Sequence, residues 1–126
     1  MRIPIALSAA FLASAWPAAT QQPGPLAQVE RGHWELHRSG GAAIGAVCLG
    51  DPLRLAVPLD TPQPCNSEIV SSDGHVVTVS FVCPRMGRGR TLLRVETPRL
   101  VQIDSQGLSN GTPFALRAQA RRTGPC

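Results

Sequence analysis

From Gly32 onward the chain is punctuated by turn signals roughly every ten residues, a spacing that leaves room only for short strands. The breaks are Ser39-Gly40-Gly41, Ser71-Ser72-Asp73-Gly74, a Gly/Arg loop at 84–89, Thr97-Pro98 and Asn110-Gly111. Between them apolar and polar residues alternate with a period of two, which puts every second side chain on one face of a sheet. No segment of this part sustains a helical period, and no internal repeat is present.

Residues 32–38 place Trp34 and Leu36 on one face and His33, Glu35 and His37 on the other. Residues 43–49 form a second strand. Asp51-Pro52 has the pattern of a helix N-cap followed by Pro at the first helical position, so a short helical turn is predicted near residues 52–57, stopped by Pro58. Pro62 and Pro64 keep the approach to Cys65 extended. Asp73-Gly74 marks the tip of a hairpin whose second arm, 75–82, sets Val77, Val79 and Phe81 on one face. Residues 91–97 turn Leu93 and Val95 inward, and 100–104 turn Val101 and Ile103 inward. Residues 105–112 read as a turn region, and 113–121 direct Phe114, Leu116, Ala118 and Ala120 to the core. The predicted fold is all-β, an antiparallel meander of about seven short strands curled into a sandwich or open barrel.

A chain of 126 residues holds one domain. Its 12 basic residues are all Arg, and Lys and Tyr are absent. Without Lys there is no P-loop, no Schiff base and no Ser-x-x-Lys nucleophile. Gly-x-Ser-x-Gly is also missing, and Asp51, Asp60, Asp73 and Asp104 each have a turn or cap explanation. The reading is a protein that is not an enzyme and uses no cofactor. Trp34, Phe81 and Phe114 are the large aromatics of the predicted domain, so Val, Leu, Ile and Ala must fill its core.

The N-terminus reads as an address. Met1-Arg2 gives a positive start, residues 3–13 an apolar run, and Ala13-Ser14-Ala15 a cleavage pattern. The predicted division is a signal peptide over 1–19, cut after Ala15 or Ala19, a flexible lead-in over 20–31, and one β domain over 32–126. The apolar run is too short to span a bilayer, so the mature form has no predicted transmembrane segment. The expected location is the periplasm.

Cys48, Cys65, Cys83 and Cys126 form an even set with no Cys-x-x-Cys, which in an oxidising compartment reads as two disulfides. Three pairings are possible. Cys48–Cys65 is the favoured one, because it pins the ends of the Pro-rich excursion between two strands, and Cys83–Cys126 then follows by elimination.

Two surface constellations carry possible chemistry. His33, Glu35 and His37 project from one strand face, where side chains two apart can share a metal ion with a further ligand. The plainer reading is a solvent face opposite Trp34 and Leu36. Arg85, Arg88 and Arg90, with Arg94 and Arg99 nearby, suit bidentate recognition of phosphate or carboxylate. The plainer reading there is a solvated loop, and the aromatic interleaving that nucleic-acid binding needs is missing.

Gly32-His33-Trp34-Glu35, then Cys48-Leu49, Cys65, a strand from Gly74 to Cys83, and the terminal Arg121-Arg122-Thr123-Gly124-Pro125-Cys126 together form a pattern. It resembles domain-of-unknown-function family 3617, small exported proteins of proteobacteria. The resemblance implies export, disulfides and a β fold, and supplies no catalytic residues. This chain departs from it in later strands rich in Leu, Arg and Ala rather than Met and Thr. The functional expectation is a non-enzymatic periplasmic domain binding an apolar ligand or an envelope partner. The alternatives are an interaction protein of the envelope that sets its Arg-rich loop against an anionic surface, and a metal-binding protein using the His-Glu-His face.

Overall fold

The computed structural model describes residues 12–16, 24–58 and 65–126. Most of the predicted signal segment, the first part of the lead-in, and Pro62 and Pro64 therefore lie outside the described residues; within 12–16, Leu12 and Trp16 are exposed.

The alternation of side chains produces seven strands: β1 (Gly32–Arg38), β2 (Ala43–Leu49), β3 (Asn66–Asp73), β4 (Val76–Cys83), β5 (Gly87–Thr97), β6 (Leu100–Ser109) and β7 (Thr112–Gly124). They form one antiparallel sheet in the order β2-β1-β7-β6-β5-β4-β3. It is a single open sheet, neither a sandwich nor a closed barrel. β3 to β7 make the expected meander. The first hairpin departs from it by returning to dock β1 against β7, with Leu36 opposite Ala120 and Glu35 opposite Arg121.

Two short 3-10 turns lie against the sheet: η1 (Pro25–Gln28), which touches β4 and β5, and η2 (Pro52–Ala56), which touches β4, β5 and β6. η2 starts as its sequence predicts, with the Asp51 carboxylate accepting from the Leu53 amide at 3.0 Å and Pro52 in the first turn. It is tied to the sheet by the buried Thr91 hydroxyl, which donates to the Ala56 carbonyl at 2.6 Å. That uses the only Thr91 hydroxyl proton, so the Ser105 hydroxyl donates to Thr91 at 2.8 Å. η1 falls within the second half of the lead-in, where Pro25 and Val29 are buried.

The core occupies the inner face: Trp34 and Leu36 of β1, Val77 and Val79 of β4, Leu93 and Val95 of β5, Val101 and Ile103 of β6, and Ala118 and Ala120 of β7. Trp34 is fully buried, and its indole N–H donates to the Glu30 carbonyl at 2.9 Å. Full burial of a large apolar side chain is worth about 1.5–3 kcal/mol, so these inward positions carry the fold.

Two predicted turns prove shorter than expected. Residues 84–86 alone make the turn after β4, and Gly87–Thr97 is strand; only Asn110-Gly111 separates β6 from β7, and Ser105 to Ser109 continue β6. The hairpin before them turns at Gly74-His75, since Asp73 pairs with Val76.

The disulfide assignment is also corrected. Cys48 bonds to Cys126 and Cys65 to Cys83, not Cys48 to Cys65 and Cys83 to Cys126. Register explains both bonds. Asn66 pairs with Val82, which puts Cys65 opposite Cys83 at the end of one hairpin. His33 pairs with Cys48 on one side and Gly124 on the other, so Cys126 just beyond β7 reaches β2 across the end of β1.

Candidate ligand groove

The inner face is not uniformly filled. At the end away from Trp34, one row of cross-strand neighbours reads Phe81, Gly89, Gly107, Phe114 across β4 to β7. The Phe81 ring lies over Gly89, so that a Cβ there would sit 2.6 Å from Phe81 Cζ; a Cβ on Gly107 would collide with the Arg88 carbonyl. The two middle strands thus present bare backbone between two aromatic rings.

An apolar cavity of about 230 Å³ adjoins the two aromatic ends of this row, lined chiefly by Phe81, Met86, Leu108, Phe114 and Leu116. A second of about 260 Å³ adjoins it beneath η2, lined by Leu36, Ile44, Leu55, Val57 and Ile103 among others. Arg38, Pro58 and Leu116 belong to both linings, so the two are lobes of one groove. Each lobe alone falls below the usual 300–1,000 Å³ of a small-molecule site, whereas the joined groove is of that order.

Arg38 is the third inward position of β1 after Trp34 and Leu36, and it stands where the core gives out. Its backbone is fixed by the following turn: its amide donates to the Ala42 carbonyl at 2.7 Å, and its carbonyl accepts from Gly41 at 2.8 Å. Its side chain is exposed at the groove mouth and is the only charged group among the described lining residues of either lobe. That lining offers no carboxylate or imidazole, and its one cysteine, Cys83, is in a disulfide. The described lining is thus apolar apart from Arg38 and two serines.

The residues singled out from sequence lie elsewhere. His33, Glu35 and His37 share the outer face of β1 as expected, but they are not gathered into a ligand set. His37 Nε2 stands 3.7 Å from Glu35 Oε2, while His33 Nδ1 is 2.7 Å from the Thr123 hydroxyl. Among the described residues no three His, Cys, Asp or Glu are grouped to hold a metal ion. The Arg trio is also divided. Arg85 sits in the tight turn after β4 with a left-handed backbone, φ 68°. Arg88 and Arg90 project from the outer face of β5 along an open cleft of about 710 Å³, with Ser80, Val82, Gln106 and Leu108 beside them. Neither is in an ion pair among the described residues, whereas Arg94 pairs with Glu96 at 3.3 Å and Arg117 with Asp104 at 3.7 Å.

Sequence reasoning missed Arg38 and Met86. The signal for Arg38 was present: alternation through Trp34 and Leu36 continues to it. At the opposite end, Arg122 donates from Nε to the Arg31 carbonyl at 2.8 Å, and the Glu30 carboxylate receives Arg99 at 2.9 Å with Arg122 at 3.7 Å. A Cβ on Gly32, whose φ is +146°, would lie 2.6 Å from Arg122 Nε.

No protein-family model, no curated protein and no solved structure matches the chain. No helix among the described residues is long and apolar enough to cross a membrane.

Proposed function

We propose that this chain is an exported, non-enzymatic binding domain that holds an apolar ligand in the groove on the inner face of its sheet. The observation that carries this reading is the pair of adjoining apolar cavities on the inner face of the sheet, one between Phe81 and Phe114 and one beneath η2. Two disulfides and the N-terminal signal pattern support a place in the periplasm, where such bonds persist. The resemblance to family 3617 belongs to the same proposal. Its two marks, Gly32–Glu35 and Arg121–Cys126, pair with each other where β1 meets β7, so they bear on how the sheet is completed and say nothing of the ligand.

The test uses the disulfide-intact protein and a neutral fluorescent probe, N-phenyl-1-naphthylamine. The wild type should bind it, and Met86→Trp, which adds bulk at the groove from an ordered turn, should weaken binding about tenfold. Unchanged binding in that variant would place the apolar site elsewhere, and absence of binding in the wild type would end the reading.

A second reading rests on the outer face. Unpaired Arg88 and Arg90 beside exposed Val82 and Leu108 offer a surface for an anionic envelope partner. Sedimentation with anionic vesicles, lost on Arg88→Gln/Arg90→Gln, would favour it over the groove.

A further inference from the structure

We infer that the ligand of this groove is a single-chain alkyl carboxylate, its head on Arg38 and its chain in the apolar groove that opens beside it. The inference rests on the groove reading above and names what the groove takes.

An arginine on an inward strand position needs a partner or water for its charge. The other such arginine, Arg122, has both an acid and a carbonyl. Arg38 has neither: its side chain makes no hydrogen bond or ion pair among the described residues. It stands where the two lobes meet, so a head group held there leaves its tail inside apolar surface. A guanidinium offers two parallel N–H donors that match the two oxygens of a carboxylate.

The same geometry argues against a phosphate monoester. Such a head carries nearly two negative charges near neutral pH, and no second cation stands among the described lining residues. Two lobes of about 230 and 260 Å³ joined at a shared rim suit a flexible chain better than a rigid ring system.

The test is competition against N-phenyl-1-naphthylamine by dodecanoate, dodecanol and dodecyl phosphate, each below its micelle concentration. In the wild type dodecanoate should displace the probe roughly five- to tenfold more effectively than dodecanol, the range set by solvent screening at an exposed Arg. Arg38→Gln should abolish that preference, read as the ratio of dodecanoate to dodecanol displacement within the variant, and Arg38→Lys should restore part of it. Equal displacement by dodecanoate and dodecanol in the wild type overturns the head-group assignment, as does a preference that survives in Arg38→Gln. Stronger displacement by dodecyl phosphate overturns the carboxylate. Those results leave the groove reading standing. A wild type that fails to bind the probe removes that reading and this one together.

Discussion

Arg85 has a left-handed backbone, a region where a Cβ costs an L-residue roughly 1–2 kcal/mol. The turn after β4 demands it: the Met86 amide donates to the Cys83 carbonyl at 3.1 Å, and the Met86 carbonyl accepts from Asn110 at 2.7 Å. Arg85→Gly removes the strain but loosens the unfolded chain, which offsets part of the gain. The expected net effect is a stabilisation of about 0.5–1 kcal/mol, read as a higher denaturant midpoint at unchanged slope. A drop in midpoint would mean that the Arg85 side chain makes a contact worth more than the strain. Single residues also explain part of what sequence could not yield. Gly87, Gly89 and Gly107 read as loop formers, yet they sit inside β5 and β6, where the strands approach too closely for side chains. A glycine needed for space is indistinguishable, in one sequence, from a glycine needed for a bend.

At the scale of elements, alternation was enough to read which side chains face inward on β1, β4, β5, β6 and β7, because burial on one face enforces a period of two. The cysteine pairing needed register, and the hairpin nearly supplied it. Counting back from its tip leaves Cys65 one position from Cys83, and the irregularity between Ile69 and Ser71 absorbs the difference. Pinning the Pro-rich segment was the weaker argument, since it assumed that β2 and β3 are neighbours when they are the two edges of the sheet. Digestion of unreduced protein should release Cys65 linked to Cys83. In the chain-entropy model the bond of separation 18 is worth about 3 kcal/mol and that of separation 78 about 4.5 kcal/mol. Cys48→Ser/Cys126→Ser should therefore lower stability more than Cys65→Ser/Cys83→Ser in urea titrations. The reverse order would show that the long bridge closes a junction already held by β-pairing.

The whole molecule is defined by a junction between its first and last strands. The two end segments face each other there: Trp34 opposite Arg122, Glu35 opposite Arg121, His33 opposite Gly124. This pairing is non-local, and nothing in the local periodicity of either segment announces it. The groove belongs to the same scale, since its lining comes from β1, β2, β4, β5, β6, β7 and η2 and no single segment shows it. Contacts of high sequence separation form late, because their loop-closure entropy comes first. Oxidative refolding should therefore accumulate a species with the Cys65–Cys83 bond before Cys48–Cys126 appears, as acid-quenched peptide maps would record. The β1–β7 junction also makes the molecule self-auditing. A chain delivered N-terminus first must hold β1 and β2 in waiting until β7 arrives. A prematurely ended product would lack the seventh strand and the Cys126 thiol, leaving the long edge of β1 and a reactive Cys48 on display, where a protease can tell it from a finished copy.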